Sequence, residues 1–326
     1  MRAWFYTKFG GPAVLQTGEQ PEPTMRGPSD VLVRIHAAGL NPIDYKRREG
    51  ALKLIMAKQH WPHIVGYDVS GVVTACGADV TKFRVGDAVF GMLPHDRNGA
   101  LAEYVQAASL PLVTSTALLA FRMGNLSENK KVLVTGGAGG AGSIAIQVAK
   151  RVFKASANTV ATTASSKKIE RMKALGADEV VDYNREAFER ELAEYDFALD
   201  CTGESLKCFE CVTKGGAVVS IAETPSYEDL VGLEAKGLSV SRIVGFVLNC
   251  LSRSVAKKAR QAQIDYSYCF TYSDGAVMDE IKRLCEETVV TPVVDKVYPF
   301  EKADTAMEYL EAGHALGKVV VEIQSS

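Results

Sequence analysis

From residue 1 to 109, short apolar runs alternate with glycine and proline turns. Val31-Leu32-Val33-Arg34-Ile35-His36 and Val69-Ser70-Gly71-Val72-Val73 have strand length and strand composition, and Phe83 to Gly91 reads as a turn between two strands. This pattern predicts a β-rich domain. From Leu110 to about Thr271 the rhythm changes. Apolar runs at 131–135, 159–163, 179–182, 197–200, 217–221 and 266–271 are separated by stretches of helical period such as 185–193. Strands alternating with helices predict an α/β domain with a doubly wound parallel sheet. The tail reads as a helix at about 275–288, Pro292-Val293-Val294, a second helix at 301–312 and a last strand from Lys318 to Ile323. It is expected to rejoin the first domain, so that 110–272 is inserted between 1–109 and 273–326.

Within the inserted domain, residues 132–149 read VLVTGGAGGAGSIAIQVA, an apolar strand running through glycines into a helix. Gly137, Gly139 and Gly142 fit G-x-G-x-x-G. In that pattern the first glycine makes a tight turn, the second lets the backbone approach a pyrophosphate, and the third lets the helix pack on the strand. A helix opening at about Ser143 would aim its free amides and its positive dipole end at that pyrophosphate. The expectation is therefore a Rossmann-type dinucleotide site with Gly137, Gly139, Gly140, Ala141 and Gly142 at the phosphates.

The second strand leads into Ala164-Ser165-Ser166-Lys167-Lys168. Sites for NAD usually place an acid there, about 20 residues past the glycines, for the ribose 2′-hydroxyl. This segment has two hydroxyls and two lysines instead. Cations are disfavoured in the first turn of a helix, so their presence points to a bound anion. A 2′-phosphate supplies one, and a charge-assisted bond to it contributes about 1.5–3 kcal/mol. NADP(H) is the cofactor this predicts, with Ser165, Ser166 and Lys168 among its ligands.

Length and charge bound the rest. The 326 residues suit about two domains. A formal net charge of −2 gives no basic footprint for nucleic acid, and no apolar run approaches the roughly 20 residues of a membrane span. Met1 leads into strand-like Ala3-Trp4-Phe5-Tyr6, and the seven cysteines are scattered through apolar stretches. Both observations favour a reducing compartment. Cytoplasmic location is the default, or mitochondrial if a presequence has been removed.

Several segments outside the glycines carry a family resemblance. They are Ala38-Gly39-Leu40-Asn41-Pro42-Ile43-Asp44-Tyr45-Lys46, Val65-Gly66-Tyr67-Asp68-Val69-Ser70-Gly71, Val85-Gly86-Asp87-Ala88-Val89, Leu101-Ala102-Glu103-Tyr104, Ala174-Leu175-Gly176-Ala177-Asp178, Asp200-Cys201-Thr202-Gly203 and Gly317-Lys318-Val319-Val320. The chain resembles the medium-chain dehydrogenase/reductase superfamily in its zinc-independent quinone and enone oxidoreductase branch. The resemblance implies a GroES-like catalytic domain and hydride transfer to a quinone or an α,β-unsaturated carbonyl. Zinc members have Cys where Asn41 stands and Gly-His-Glu where Gly66-Tyr67-Asp68 stands, so no metal is expected. Cys208-x-x-Cys211 and His60-x-x-His63 read as structural.

The resemblance also places residues. Asn41 and Thr116 would lie near the nicotinamide and its ribose, and Lys46 would reach the ribose or the developing oxyanion. Tyr45 and Tyr67 would form cleft wall or donate a proton, with Tyr67 equally able to fill the space of the lost ligand. Ser166, Lys168 and Tyr183 would surround the 2′-phosphate, and Thr202 would border the cofactor groove. Relatives often dimerise through an edge strand, for which Tyr266 to Thr271 is placed, so a homodimer is allowed. One departure concerns the crossover: Ser109 runs almost directly into Leu110-Pro111, where relatives carry a longer connector. Either the crossover is truly shortened or residues are missing from it, and the placement of Thr116 hangs on which. A non-catalytic NADPH-binding scaffold of the same fold stays open as the alternative.

Overall fold

The computed structural model describes residues 1–56, 61–95, 99, 109–155, 159–233 and 238–323. His60 and the motif Leu101-Ala102-Glu103-Tyr104 lie outside them. Backbone contacts divide the chain into two units, one of Met1–Leu112 with Val294–Ser326 and the other of Val113–Val293.

The first unit opens with β1 (Arg2–Tyr6), β2 (Gln16–Glu19) and β3 (Val31–Leu40), then α1 (Pro42–Arg48), β4 (His63–Ile64), β5 (Asp68–Cys76) and β6 (Ala88–Met92). The chain then passes into the second unit. Its elements are α2 (Pro111–Met123), β7 (Val132–Val134), α3 (Gly140–Arg151), β8 (Val160–Ala164), α4 (Ile169–Leu175), β9 (Glu179–Asp182), α5 (Phe188–Glu191), β10 (Tyr195–Asp200), α6 (Ser205–Cys211), β11 (Val212–Ser220), α7 (Arg242–Ala262), β12 (Asp265–Tyr268) and α8 (Gly275–Glu286). It returns with β13 (Val294–Pro299), α9 (Ala303–Glu311) and β14 (Lys318–Glu322).

In the second unit six parallel strands lie in the order β12-β11-β10-β7-β8-β9. The order reverses beside β7, at the point where a doubly wound sheet opens its ligand crevice. Strand β7 is apolar and wholly buried, as expected for a strand covered on both faces. On α3, Ile144, Ala145, Ile146, Val148 and Ala149 all face the interior. A sharp handover closes α4 and leads to β9. Gly176 takes a left-handed φ of 116°, and Asp178 then accepts from the amides of Thr159 and Val160 and pairs with Lys150 at 2.7 Å.

The structure moves one expected boundary. The chain rejoins the first unit at Val294 rather than at 273. Helix α8 is held in the second unit by Arg122–Glu280 at 2.6 Å, and the buried Gln147 amide clasps Thr291 through both its oxygen and its nitrogen. Two elements also differ from the sequence pattern. The stretch 185–193 keeps only one helical turn, Phe188–Glu191, and β13 had no expected strand.

In the first unit a five-stranded sheet runs β13-β14-β3-β5-β6, beside a small sheet β2-β1-β4. The core gathers Trp4, Tyr6, Leu40, Phe300, Met307, Val319 and Val321. The Trp4 indole donates to the Phe300 carbonyl at 2.7 Å, tying the first strand to the tail. Arg48 is buried and makes a two-pronged pair with Glu311, at 2.6 and 3.2 Å, which joins α1 to α9.

Candidate functional site

The glycine turn of the second unit has the geometry of a phosphate cradle, although the glycines divide the work differently from the sequence pattern. The left-handed residue is Gly136, with φ of 63°, not Gly137. Gly137 is glycine because a Cβ there would lie 2.1 Å from Thr162 Oγ1 on β8. At Gly142 a Cβ would meet the Gly136 carbonyl oxygen at 2.3 Å, so the third glycine does let the helix close on the turn. Gly139 is different: the nearest atom a Cβ would meet is the Gly136 oxygen at 3.4 Å. The protein leaves that face open. Helix α3 opens at Gly140, three residues earlier than expected, and Ser143 is the first amide to reach back, to the Gly139 carbonyl. The amides of Gly140, Ala141 and Gly142 therefore belong to the first turn, which lacks intrahelical acceptors. A dinucleotide pyrophosphate fits this turn.

The segments that follow β8 and β9 adjoin one another, because the two strands pair with Ala164 opposite Asp182. Ser165 precedes a tight turn over Ser166–Lys168, and the amide of Lys168 returns to the Ser165 carbonyl at 2.8 Å. Tyr183 follows β9, with its ring mostly exposed and its amide on the Ala164 carbonyl. The sequence around β8 shows no acid, but the fold brings one in from β9. Asp182 accepts the Ser166 hydroxyl, the Asn184 amide at 3.1 Å and the Asn184 side chain at 3.1 Å. The Ser166 bond leads in holding this carboxyl below its ordinary range. Ser166 is thus committed to a carboxylate, while Lys168 and Tyr183 flank it.

The loop after β10 is organised by Asp200, which is wholly buried. Its Oδ1 accepts the amides of Thr202, Gly203 and Glu204 at 2.9–3.0 Å, and its Oδ2 accepts the hydroxyls of Ser205 and Ser220 at 2.6 and 3.0 Å. Every lone pair is used, so the loop is fixed. Thr202 is thereby set against the glycine turn, its Cγ2 lying 2.8 Å from where a Gly136 Cβ would be. Thr116, on α2, is buried and shares a hydrogen bond with Thr271 at 2.7 Å.

In the first unit, three buried side chains converge where β3, β5 and β14 run side by side. The Lys318 ammonium donates to Asn41 Oδ1 at 2.5 Å and to Asp68 Oδ2 at 3.1 Å, and Asn41 Nδ2 donates to Asp68 Oδ2 at 3.0 Å. Asp68 Oδ1 takes the Leu112 amide at 2.8 Å. Burial pushes the Asp68 carboxyl up, and the Lys318 charge, Asn41 and the Leu112 amide pull it back. Below them Asp44, at the third position of α1, accepts the Asn41 amide at 2.7 Å, while its Oδ1 has no hydrogen-bond partner. Loss of water raises the Asp44 carboxyl to about 7.

Tyr67 lies deep. Its hydroxyl accepts from Arg47, which also donates to the His95 carbonyl at 2.9 Å, and its ring meets the His95 ring edge-on at 5.1 Å. Burial pushes the phenol up to about 12, so it holds its proton tightly. Tyr45 packs instead against the cluster around Trp4 and Phe300. Lys46 is half-buried on α1, and its ammonium has no hydrogen-bond or ion-pair partner among the described residues. The structure thus joins Asn41 to Asp68 and Lys318, and sets Tyr45, Lys46 and Tyr67 in separate surroundings.

Sequence reasoning missed Lys318, Asp44, Arg47 and Asp200 as organising residues. The first was visible only as the lysine of Gly317-Lys318-Val319-Val320, a cation opening an otherwise apolar strand. Among the described residues no three His, Cys, Asp or Glu side chains gather as metal ligands would. Cys208 and Cys211 are buried on α6 within the apolar core.

Comparison with known proteins agrees with this architecture. The family described as alcohol dehydrogenase GroES-like domain matches residues 27–116, and that described as zinc-binding dehydrogenase matches 175–321. The chain is 34% identical to 2-methylene-furan-3-one reductase of Solanum lycopersicum, covering 98% of this chain and 79% of that protein. It is 33% identical to the chloroplastic NADPH-dependent alkenal/one oxidoreductase of Arabidopsis thaliana, over 98% and 79%. These alignments run over 349 and 348 positions against 326 residues, so both relatives carry residues this chain lacks. Among solved structures, the quinone oxidoreductase of Coxiella burnetii superposes with a TM-score of 0.81 at 30% identity, covering 99% of each chain.

Proposed function

Because the chain belongs to the quinone and enone oxidoreductase branch of the medium-chain dehydrogenase/reductase superfamily and is an oxidoreductase, with relatives named for NADPH or NAD(P)H, we propose that it is an NADPH-dependent, zinc-independent reductase of small quinones or α,β-unsaturated carbonyls. The observation that carries zinc independence is the buried Lys318 ammonium at 2.5 Å from Asn41 and 3.1 Å from Asp68. A divalent cation drawn to that carboxylate would face a fixed positive charge in a dry interior, where repulsion is strong.

Bound NADPH supplies the hydride, and a quinone or enone takes it because the resulting charge spreads onto its own oxygen. Gly139, Gly140 and Ala141 hold the pyrophosphate through backbone amides, with Gly137 and Gly142 shaping the turn. Lys168 and Tyr183 hold the 2′-phosphate, with Ser165 beside them. Asp182 keeps the Ser166 turn in shape for them. Thr116 and Thr202 border the nicotinamide half. Asn41 is a positioning residue, oriented by Lys318 and Asp68. Lys46, whose ammonium is uncommitted among the described residues, stabilises the developing oxyanion. Tyr67 serves as wall rather than proton donor, since its phenol is raised to about 12 and already held by Arg47. Tyr45 braces α1. The reading includes a homodimer joined along β12, an edge of the six-stranded sheet. It also includes a reducing compartment such as the cytosol, in keeping with seven free cysteines.

The test is NADPH consumption by the purified, metal-analysed protein against a panel of quinones and enones. Turnover without stoichiometric zinc is expected. Cofactor binding with no turnover on any acceptor would favour a non-catalytic scaffold instead. Lys168→Ala should weaken NADPH by one to two decades and spare NADH; equal losses for both would remove Lys168 from the phosphate pocket.

A further inference from the structure

Helix α7 bears a surface that the reductase reading does not use. Its 21 residues hold five cations (Arg242, Arg253, Lys257, Lys258 and Arg260) and no acid, in a chain of formal net charge −2. Its inner face is firmly seated. Gly245, Leu248, Ser252 and Ala259 are buried, and Val255 and Ala262 pack on the core cluster of Ala259 and Ile264. The Tyr227 ring abuts Gly245 so closely that a Cβ there would lie 2.3 Å from it, and the Tyr227 amide donates to Asn249 at 2.8 Å.

The outer face has no such cover. At 3.6 residues per turn, Ile243, Phe246, Val247 and Cys250 share the side opposite the buried residues, and Leu251 flanks them. Ile243 is 80% exposed, Phe246 70% and Leu251 64%. The next two turns of the same side present Arg253, Lys257 and Arg260, all exposed. Single exposed apolar residues are ordinary, but a contiguous apolar stripe marks an interaction surface. An apolar stripe continued by cations, with no acid, is complementary to a negatively charged bilayer surface, which offers an apolar boundary and anionic headgroups together. Facing a second copy, the same helix would set five cations against five.

We propose that α7 docks the protein on anionic lipid membranes: Ile243, Phe246, Val247 and Leu251 enter the headgroup boundary while Arg253, Lys257, Lys258 and Arg260 rest on the lipid phosphates and carboxylates. The helix lies on the membrane and does not cross it; no described helix is long and apolar enough to span one.

Flotation of the full chain with vesicles tests this without reference to catalysis. The protein is expected to float with vesicles of phosphatidylcholine and phosphatidylserine in equal parts, to stay behind with phosphatidylcholine alone, and to be released by high salt. Each cation contributes about fivefold to partitioning. Lys257→Glu with Lys258→Glu should therefore lower it by roughly 30-fold or more. Phe246→Ser should lower it by about tenfold. These side chains are exposed, so the variants should fold, and unchanged circular-dichroism melts would verify it. Absence from the anionic vesicles, or flotation indifferent to all these substitutions, overturns the proposal. So does a soluble dimer that Phe246→Ser dissociates and that binds no vesicles, since the face would then join two copies of the chain.

Discussion

The buried Asp44 carboxyl links the stability of the first unit to pH. Its folded value of about 7 lies above the ordinary 3.8, so between about pH 4 and 7 the unfolded chain binds fewer protons than the folded one. Stability from this group is therefore full at low pH and declines as pH rises through that window, by about 4 kcal/mol at most. Asp44→Asn keeps an oxygen for the Asn41 amide and abolishes the titration. Urea melts are expected to find the variant more stable than the parent at about pH 8, with the difference vanishing near pH 4; a constant difference at both would mean that Asp44 stays ionised in the fold. Asn41 was legible in the sequence, and Asp68 only as a member of the segment that stands where zinc members carry Gly-His-Glu. Lys318 was not, for a lysine at a strand start reads as a solvated end. Its partners lie 277 and 250 residues away, and no local pattern reports pairing over that separation.

The unit of function at the next scale is the turn between β7 and α3. Two of its glycines look alike in sequence and differ in space. A methyl at Gly142 would collide with backbone at 2.3 Å, whereas one at Gly139 meets its nearest atom at 3.4 Å. Gly142→Ala is thus expected to lower the melting temperature, while Gly139→Ala should melt like the parent and still lose affinity for the dinucleotide. Calorimetric titration beside a thermal melt separates the two; equal melts with unchanged affinity for Gly139→Ala would place the phosphates elsewhere. The inner strands β7, β8, β10 and β11 were readable because strands buried on both faces leave apolar runs, and the edge strands β9 and β12 were readable from their place in the strand–helix rhythm. The stretch 185–193 was overread as a full helix. Glu194 takes a left-handed φ of 61° soon after, and Leu192 is already extended, so one turn is all that Phe188 can bury. Strand β13 was missed because none of its residues is buried, with Lys296, Val297 and Pro299 exposed, and alternation is lost at the irregularity between Val294 and Lys296. Asp182 shows the reverse limit. It belongs to one strand end and acts at the next, a neighbourhood that only the sheet order creates.

Each of the two units possesses its own apolar core, around Phe197, Leu133 and Val218 in one and around Trp4, Phe300 and Val319 in the other. Scanning calorimetry is expected to show two components, of which only one responds to NADPH. At a hundredfold excess over its dissociation constant the cofactor should stabilise that component by about 2.7 kcal/mol. A single transition shifted as a whole would mean that the units unfold together. The interruption of one unit by the other also orders events on the ribosome. Strand β14 pairs with β13 on one side and β3 on the other, so the five-stranded sheet has a gap beside β3 until the last residues emerge. The inserted unit can close as soon as Val293 has left the exit tunnel, and the opening strands, though paired among themselves, must wait for β14 to cover β3. A nascent chain stalled once Val293 has emerged, with β14 still in the tunnel, should accordingly protect its glycine turn from protease while Trp4 and its neighbours are still being cut.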